Sequence, residues 1–124
     1  MRYKREKITV ICGEFDPLDK KDIDTLKRCK AKGDWLVVGV HSDWWMLWAR
    51  GGFVQNYDTR REILSHIKYV DEIFTFNDTD GTVCQLLKLV QICYPHSDIT
   101  YVSDEDMHNM PETKIRGITF ETMK

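Results

Sequence analysis

The sequence predicts a single α/β domain with a doubly wound parallel sheet. Short runs of β-branched and apolar residues alternate along the chain with longer segments whose apolar residues recur at helical spacing. The run at 34–41 is almost continuously apolar, which is typical of a parallel strand covered on both faces. The length of 124 residues suits one packed core. Strands joined through helices should pair in parallel with right-handed crossovers.

The first half of the chain supplies two strands and at least one helix. A predicted strand covers residues 7–12, and a predicted helix over residues 19–32 ends at Gly33, a natural C-cap residue. The second predicted strand covers residues 34–41. Residues 42–50 remain ambiguous, because good N-cap residues precede a dense tryptophan cluster.

The second half continues the alternation of helices and strands. Its predicted elements are a helix over residues 58–69, a strand over 72–76, a helix over 82–94, a strand over 99–102, an acidic loop over 103–111, and a short strand or turn followed by the start of a helix over 115–124. Pro95 stops the second of these helices.

In doubly wound sheets, ligands bind beyond the carboxyl ends of the strands. The segments expected to converge there are residues 13–22, 41–48, 76–80 and the chain from 103 onward. The first of them joins a strand to a helix through a glycine turn, a geometry that presents backbone N–H groups to a phosphate.

Composition argues against several classes of function. A net charge of −2 gives no reason to expect binding to nucleic acid or to an anionic membrane. We expect a cytoplasmic protein, because no signal peptide or membrane-length apolar run is present and the cysteines form no Cys-x-x-Cys pair. The four thiols, which we expect to be reduced, are Cys12, Cys29, Cys84 and Cys93.

Residues 13–22, Gly-Glu-Phe-Asp-Pro-Leu-Asp-Lys-Lys-Asp, resemble the Gly-Thr-Phe-Asp-x-x-His-x-Gly-His signature of nucleotidylyltransferases. The glycerol-3-phosphate cytidylyltransferase branch is the most similar. Further matches, in order along the chain, are residues 32–43, Arg60, residues 69–73, residues 104–106 and residues 117–119. The resemblance covers nearly the whole chain and implies a Rossmann-like nucleotidylyltransferase fold.

The resemblance implies transfer of a nucleotidyl group from CTP to a small phosphorylated acceptor, with Mg²⁺ as the cofactor of an active enzyme and a homodimer as the assembly. The matched positions expected to bind nucleotide are Gly13, Glu14, Phe15, Asp16, Arg60 and Asp106. The positions that correspond to catalytic ones are Asp19, Lys21, Asp22, Lys114 and Thr119.

The departures from the family pattern fall on those catalytic positions. Asp19 and Asp22 replace the signature histidines, Lys21 replaces the glycine between them, and the hydroxyl-rich segment that starts at Thr119 continues with phenylalanine and glutamate. A carboxylate about 4 Å from a phosphate oxygen costs on the order of several kcal/mol at intermediate dielectric. Loss of one transition-state donor costs about 3–4 kcal/mol. Ordinary activity is therefore doubtful unless a metal or another cation compensates.

Three interpretations of the two aspartates stay open. Asp19 at the N-cap and Asp22 at N3 can cap the helix by themselves, favoured by the helix dipole. Alternatively, Asp16 joins them to hold a divalent metal that bridges to a triphosphate. In the third interpretation, Lys20 and Lys21 replace the lost histidine charge.

His41 falls at a predicted strand end, so it is either a nucleotide contact or a structural histidine. The tryptophan cluster packs under the sheet end or at a dimer seam, or else it forms a stacking surface for a base or sugar or an anchor for a partner protein. Its members are Trp44, Trp45 and Trp48. Two functions follow: a cytidylyltransferase-like enzyme, or a catalytically inactive relative that binds a nucleotide or a protein and acts as a regulator.

Overall fold

The computed structural model describes residues 7–104, 107 and 110–123. The strands are β1 (Lys7–Gly13), β2 (Trp35–Val40), β3 (Glu72–Phe74), β4 (Asp98–Ser103) and β5 (Ile118–Thr122). The helices are α1 (Lys20–Lys30), α2 (Asp43–Arg50), α3 (Tyr57–Ser65) and α4 (Cys84–Cys93), with a short 3-10 helix at Pro111–Lys114.

The five strands form one parallel sheet in the order β3-β2-β1-β4-β5. Strands β2 and β3 lie in succession on one side of β1, and β4 and β5 lie in succession on the other side of β1. The strand order therefore reverses between β1 and β4, which is where doubly wound sheets bind ligands. The predicted fold class is confirmed.

Apolar side chains cover both faces of the sheet, as the sequence of the second strand predicts. Val10 and Val37 share one core with the apolar face of α4, while Ile11 and Val38 share the other core with residues of α1 and α3. Consecutive strand residues alternate between the two cores because side chains of a strand point to opposite faces. The carboxyl ends of the central strands are thereby held in fixed positions.

The ambiguous segment at 42–50 is helical. The hydroxyl of Ser42 accepts a hydrogen bond from the N–H of Trp45 at 3.0 Å and caps α2. Gly51 ends the helix with φ of 79°, a left-handed conformation that favours glycine.

The expectation of a helix beginning near the carboxyl end is wrong for the described residues. Residues Ile118–Thr122 form β5, which pairs with β4. Ile118 and Phe120 pack against the core on the α4 side, whereas Thr119 and Glu121 point to the opposite face. This period of two is that of a strand.

Within the described part of the chain, no helix has the length and apolar character needed to cross a bilayer.

Candidate functional site

The carboxyl edge of the sheet brings together the ends of three strands. The N–H of His41, just after β2, donates to the carbonyl of Gly13, the last residue of β1, at 3.1 Å. Asp78, in the loop after β3, accepts a hydrogen bond from the N–H of Ser42 at 2.9 Å. Three of the four segments predicted to converge from their positions at strand ends, residues 13–22, 41–48 and 76–80, therefore do so.

The amino terminus of α1 is closed by its own side chains. An oxygen of Asp19 accepts from the N–H of Asp22 at 2.9 Å, and an oxygen of Asp22 accepts from the N–H of Asp19 at 3.1 Å. This is a reciprocal capping box, so the capping interpretation is confirmed. Partial burial raises the pKa of the Asp22 carboxyl, and the neighbouring Asp19 carboxylate acts in the same direction. Two carboxylates thus occupy N–H groups that a phosphate would need.

Asp16 fastens the loop that precedes α3. Its two carboxylate oxygens accept from the N–H groups of Val54 and Gln55 at 2.8 and 2.6 Å. The three acids considered as metal ligands therefore all accept backbone N–H groups. Over residues 7–104, 107 and 110–123, no cluster of three or more His, Cys, Asp or Glu side chains is arranged to hold a metal ion.

Basic side chains at this edge are largely engaged by acidic ones. Arg50 donates twice to one oxygen of Glu14, at 2.9 and 2.6 Å, and Lys20 pairs with Asp24 at 2.9 Å. Lys21 lies exposed in the first turn of α1. Positive charge for a triphosphate is therefore sparse where the family signature would supply it.

Arg60 is buried and holds several segments together. Its guanidinium donates to the carbonyls of Gln55, Glu14 and His41 at 2.9, 3.1 and 2.7 Å. It also pairs with Asp43 at 2.9 Å, and its side chain is 0% exposed. The matched arginine thus acts on this edge by positioning loops, and four of its five N–H donors are bonded to protein groups.

His41 lies in a hydrogen-bonded line with two buried or partly buried groups. Its Nδ1 is 3.0 Å from an oxygen of Asp78, and its Nε2 is 3.5 Å from the Sγ of Cys12. The ring of Trp45 stacks on the imidazole with centroids 3.7 Å apart. Burial lowers the pKa of His41 despite the opposing effect of Asp78, so the imidazole is neutral at physiological pH.

An exposed apolar surface on α2 and the following loop flanks the edge. We call it the α2 surface, and its members are Trp44, Leu47, Trp48, Phe53 and Val54. The rings of Trp44 and Trp48 are nearly parallel, with centroids 6.0 Å apart. Trp45, by contrast, points inward to His41. The predicted tryptophan cluster is therefore divided between an outer surface and the site.

Phe15 covers the glycine of the signature. A Cβ added to Gly13 would lie 2.8 Å from the ring of Phe15, so the ring takes the space that a side chain there would need. Phe15 itself has φ of 50°, a left-handed conformation that costs a non-glycine residue energy and that is enriched at functional sites.

The structure does not bring Thr119 to this edge, which corrects the expectation drawn from the resemblance. Thr119 pairs with Thr100, which pairs with Thr9. Thr9 lies four residues before Gly13, so the strand rise puts Thr119 about 13 Å short of the edge. The segment that starts at Gly117 leads into β5 and does not follow it.

The other predicted residues lie elsewhere. Lys114 is exposed at the end of the 3-10 helix, and Asp106 lies outside the described residues. A cavity of about 320 Å³ lies over the face of the sheet that carries Thr119. Its lining includes Lys7 and Asp98, the first residues of β1 and β4, so it opens toward the amino ends of the strands.

Cys12 and Asp78 are site residues that the sequence alone did not indicate. Asp78 is 1% exposed although it lies in an acidic, turn-like segment typical of solvated loops. Cys12 looks like an ordinary apolar strand residue. Their positions near two strand ends could have indicated that they belong to the site. Their contacts with His41 could not be foreseen, because they join residues 29 and 37 positions apart.

Comparison with known proteins agrees with this architecture. The chain is 37% identical over 67 residues to the glycerol-3-phosphate cytidylyltransferase of Bacillus subtilis (strain 168), a match covering 54% of this chain and 52% of that enzyme. It is 34% identical over 116 residues to the FAD synthase of Thermococcus kodakarensis, covering 92% of this chain and 74% of that one. The chain therefore spans about half the length of the Bacillus enzyme.

Among solved structures, the lipopolysaccharide core biosynthesis protein from Thermoplasma volcanium GSS1 has the same fold, with a TM-score of 0.66 and 23% identity. The match covers 97% of this chain and 98% of that one. A family model described as cytidylyltransferase-like matches residues 10–119, from the middle of β1 into β5. The chain therefore belongs to the cytidylyltransferase-like family of nucleotidyltransferases.

Proposed function

We propose that this chain has lost the ordinary nucleotidyl transfer of its family and is a protein-binding regulatory module. The capping box at α1 carries the proposal. In it, Asp19 and Asp22 occupy the helix terminus where the family signature would present histidines to a triphosphate. Two N–H groups at this terminus, those of Asp19 and Asp22, already have acceptors and are not available to a phosphate.

Electrostatics supports the same conclusion. Phosphoryl and nucleotidyl transfer depend on cations and donors that stabilise charge on the phosphates. Here Arg50 is paired with Glu14 and Arg60 is occupied by backbone carbonyls and Asp43. A triphosphate would have to displace these partners and also approach the capping carboxylates.

The α2 surface supports a binding role. It gathers five large hydrophobic side chains that are 40–77% exposed, and exposed apolar patches mark interaction sites. We propose that it contacts a second copy of this chain, because one patch can be self-complementary in a two-fold dimer.

The test compares CTP and ATP, each with and without Mg²⁺ or Mn²⁺, with glycerol 3-phosphate as the acceptor. Thermal unfolding and pyrophosphate release are measured together. We expect no pyrophosphate and no shift in melting temperature with either nucleotide. Acceptor-dependent pyrophosphate release by the unmodified chain would overturn the proposal.

A reversal experiment sharpens this test. The triple variant Asp19→His, Lys21→Gly, Asp22→His restores the signature on the same scaffold. We expect it to gain stabilisation by CTP of several degrees, because a ligand present at 100 times its Kd stabilises by about 2.7 kcal/mol. Lys20→Ala, a change at an exposed residue of the same turn, is the matched control and should gain nothing.

The second candidate function is cytidylyl transfer to a small phosphorylated acceptor with Mg²⁺. The match to the Bacillus enzyme favours it, as does exposed Lys21 at the site of the signature glycine. If Lys21 supplies the missing charge, Lys21→Ala should abolish any pyrophosphate release that the unmodified chain shows.

A further inference from the structure

Cys12, His41 and Asp78 form a line at the carboxyl edge that the nucleotidyl chemistry does not use. The Sγ of Cys12 is 3.5 Å from Nε2 of His41, and Nδ1 of the same ring is 3.0 Å from an oxygen of Asp78. A nucleophile, a base and a carboxylate that orients the base, each within reach of the next, is the arrangement of a covalent catalyst. Cys12 is the partly exposed last residue before Gly13, so it borders the edge where ligands bind in such sheets.

The carboxylate of Asp78 is itself fixed. It is 1% exposed and accepts from the N–H and the hydroxyl of Ser42 at 2.9 and 2.6 Å. Its contact with Nδ1 makes that nitrogen the donor, which leaves Nε2 as an acceptor for the thiol proton. The ring is also held by Trp45, which stacks on it. The base therefore has a defined tautomer and orientation.

We propose that Cys12 is a nucleophile for acyl groups, that His41 is its general base, and that Asp78 positions the imidazole. The substrate class is an activated carboxylic ester or thioester. This activity requires no bound nucleotide, so it can be measured whether or not the chain binds CTP.

The proposed reaction is a hydrolysis that consumes one water molecule for each ester or thioester and needs no other reagent. The sulfur of Cys12 bonds to the acyl carbon, the bond from that carbon to the leaving oxygen or sulfur breaks, and the thiol proton passes through Nε2 of His41 to the leaving group. Water then attacks the thioester, the bond to the Cys12 sulfur breaks, and a proton returns to the thiol. The products are the free acid and the released alcohol or thiol.

The surroundings of Cys12 do not activate its thiol, so the proposed step depends on His41 to remove the proton. Burial strongly raises the pKa of Cys12, and the Asp78 carboxylate adds to that effect, so the thiol is neutral at rest. Burial lowers the pKa of His41 and keeps the imidazole free to accept a proton. The charged groups facing this cluster are Asp78, Glu14, Glu112 and Arg60.

The test uses p-nitrophenyl acetate as the probe and the full chain carrying Cys84→Ser and Cys93→Ser, which removes the two other cysteines outside the core. We expect p-nitrophenolate release that Cys12→Ala abolishes, with the acetyl group found on Cys12 by mass spectrometry. An equal rate in Cys12→Ala, or acetylation confined to other residues, would overturn the proposal.

The pH profile separates this mechanism from ordinary thiol reactivity. We expect the rate to rise as His41 loses its proton below pH 6.5 and then to stay level up to pH 9. A rate that increases about tenfold per pH unit through pH 9 is that of a free thiolate and would contradict general-base assistance.

Asp78→Asn tests the positioning role. We expect a fall of about 10²–10⁴ in rate, since general-base catalysis is worth that much and depends on the orientation of the base. The pH dependence below 6.5 should also be altered. Because Asp78 also holds Ser42, His41→Gln serves as a second variant, and an unchanged rate in it would refute the assignment of the base.

Discussion

Arg60 shows how a residue matched to a nucleotide contact can instead hold the site together. Its guanidinium satisfies three backbone carbonyls and Asp43. We expect Arg60→Ala to lower the free energy of unfolding by about 3 kcal/mol or more, because each buried acceptor left unsatisfied costs about 1–3 kcal/mol. Urea denaturation measures this. Arg61→Ala, an exposed change on the same helix, should stay within about 0.5 kcal/mol, and an equal loss in both variants would contradict the interpretation.

His41 should make stability depend on pH. Its folded-state pKa is lowered by burial, so the unfolded chain binds the proton more readily. The free energy of unfolding starts to fall as the pH drops through about 6.5, and the loss is complete below the folded-state pKa of His41. Its slope is at most about 1.4 kcal/mol per pH unit. We expect His41→Gln to weaken the loss of stability between pH 7.5 and 5.5, measured by urea denaturation at both values. An identical pH dependence in the variant would show that His41 is not responsible.

The site residues that sequence could predict are those whose contacts are local. The capping box joins Asp19 to Asp22 three positions away, and that spacing is visible in the sequence. The partners of His41 come from β1 and from the loop after β3, and they meet His41 only when the sheet forms. For Arg60, the sequence could indicate that the residue lies at the site. It could not show whether the side chain contacts a ligand or is buried among protein groups.

At the scale of the element, the amino terminus of α1 is stabilised by its own acids. We expect Asp19→Ala to cost about 1 kcal/mol, because an N-cap side chain contributes about 0.5–2 kcal/mol. Thermal and urea unfolding measure it. Asp24→Ala removes only an exposed pair with Lys20 and should cost a few tenths of a kcal/mol. A larger loss in Asp24→Ala than in Asp19→Ala would contradict the capping role.

Strand β5 is the element whose prediction differs most from the structure, because the periodicity of a sequence does not show which strand a segment pairs with. Residues Ile118–Thr122 alternate apolar and polar side chains, which suits a strand with one face on a core. The run is short, and its first residues match a motif of the family. The motif does not indicate that these residues form a strand. Pairing with β4 makes this segment a strand and places Thr119 opposite Thr100. The longer segments, with clear periodicity or clear caps, were predicted to within a few residues at their ends.

In the molecule as a whole, one set of residues determines the fold and another set determines the chemistry of the site. Both cores, the parallel sheet and the convergence of strand ends depend on apolar patterning spread over the chain, and this is why the fold could be predicted. The site depends on a few polar residues, and Asp19, Lys21 and Asp22 belong to neither core. Family membership therefore establishes the scaffold, while the chemistry depends on these few positions.

The assembly of the whole molecule is tested at the α2 surface. Trp44 and Trp48 are 45% and 64% exposed and stack on each other, so they can anchor a two-fold interface. We expect the unmodified chain to dimerise and the double variant Trp44→Ala, Trp48→Ala to weaken dimerisation at least tenfold, because truncating a central tryptophan costs about 2 kcal/mol or more. Sedimentation equilibrium measures the dissociation constant, and circular dichroism should show an unchanged fold.

Ile92→Ala is the matched control for this experiment, since Ile92 is 74% exposed on α4, outside the α2 surface. Its removal deletes apolar area of similar exposure and should leave the dimer intact. If the unmodified chain is monomeric throughout the concentration range, or if the tryptophan variant dimerises as tightly, the α2 surface is not a self-association interface. If Ile92→Ala weakens the dimer as much as the tryptophan changes do, the contact lies on α4 or is nonspecific, because a specific two-fold interface depends on its central aromatic residues.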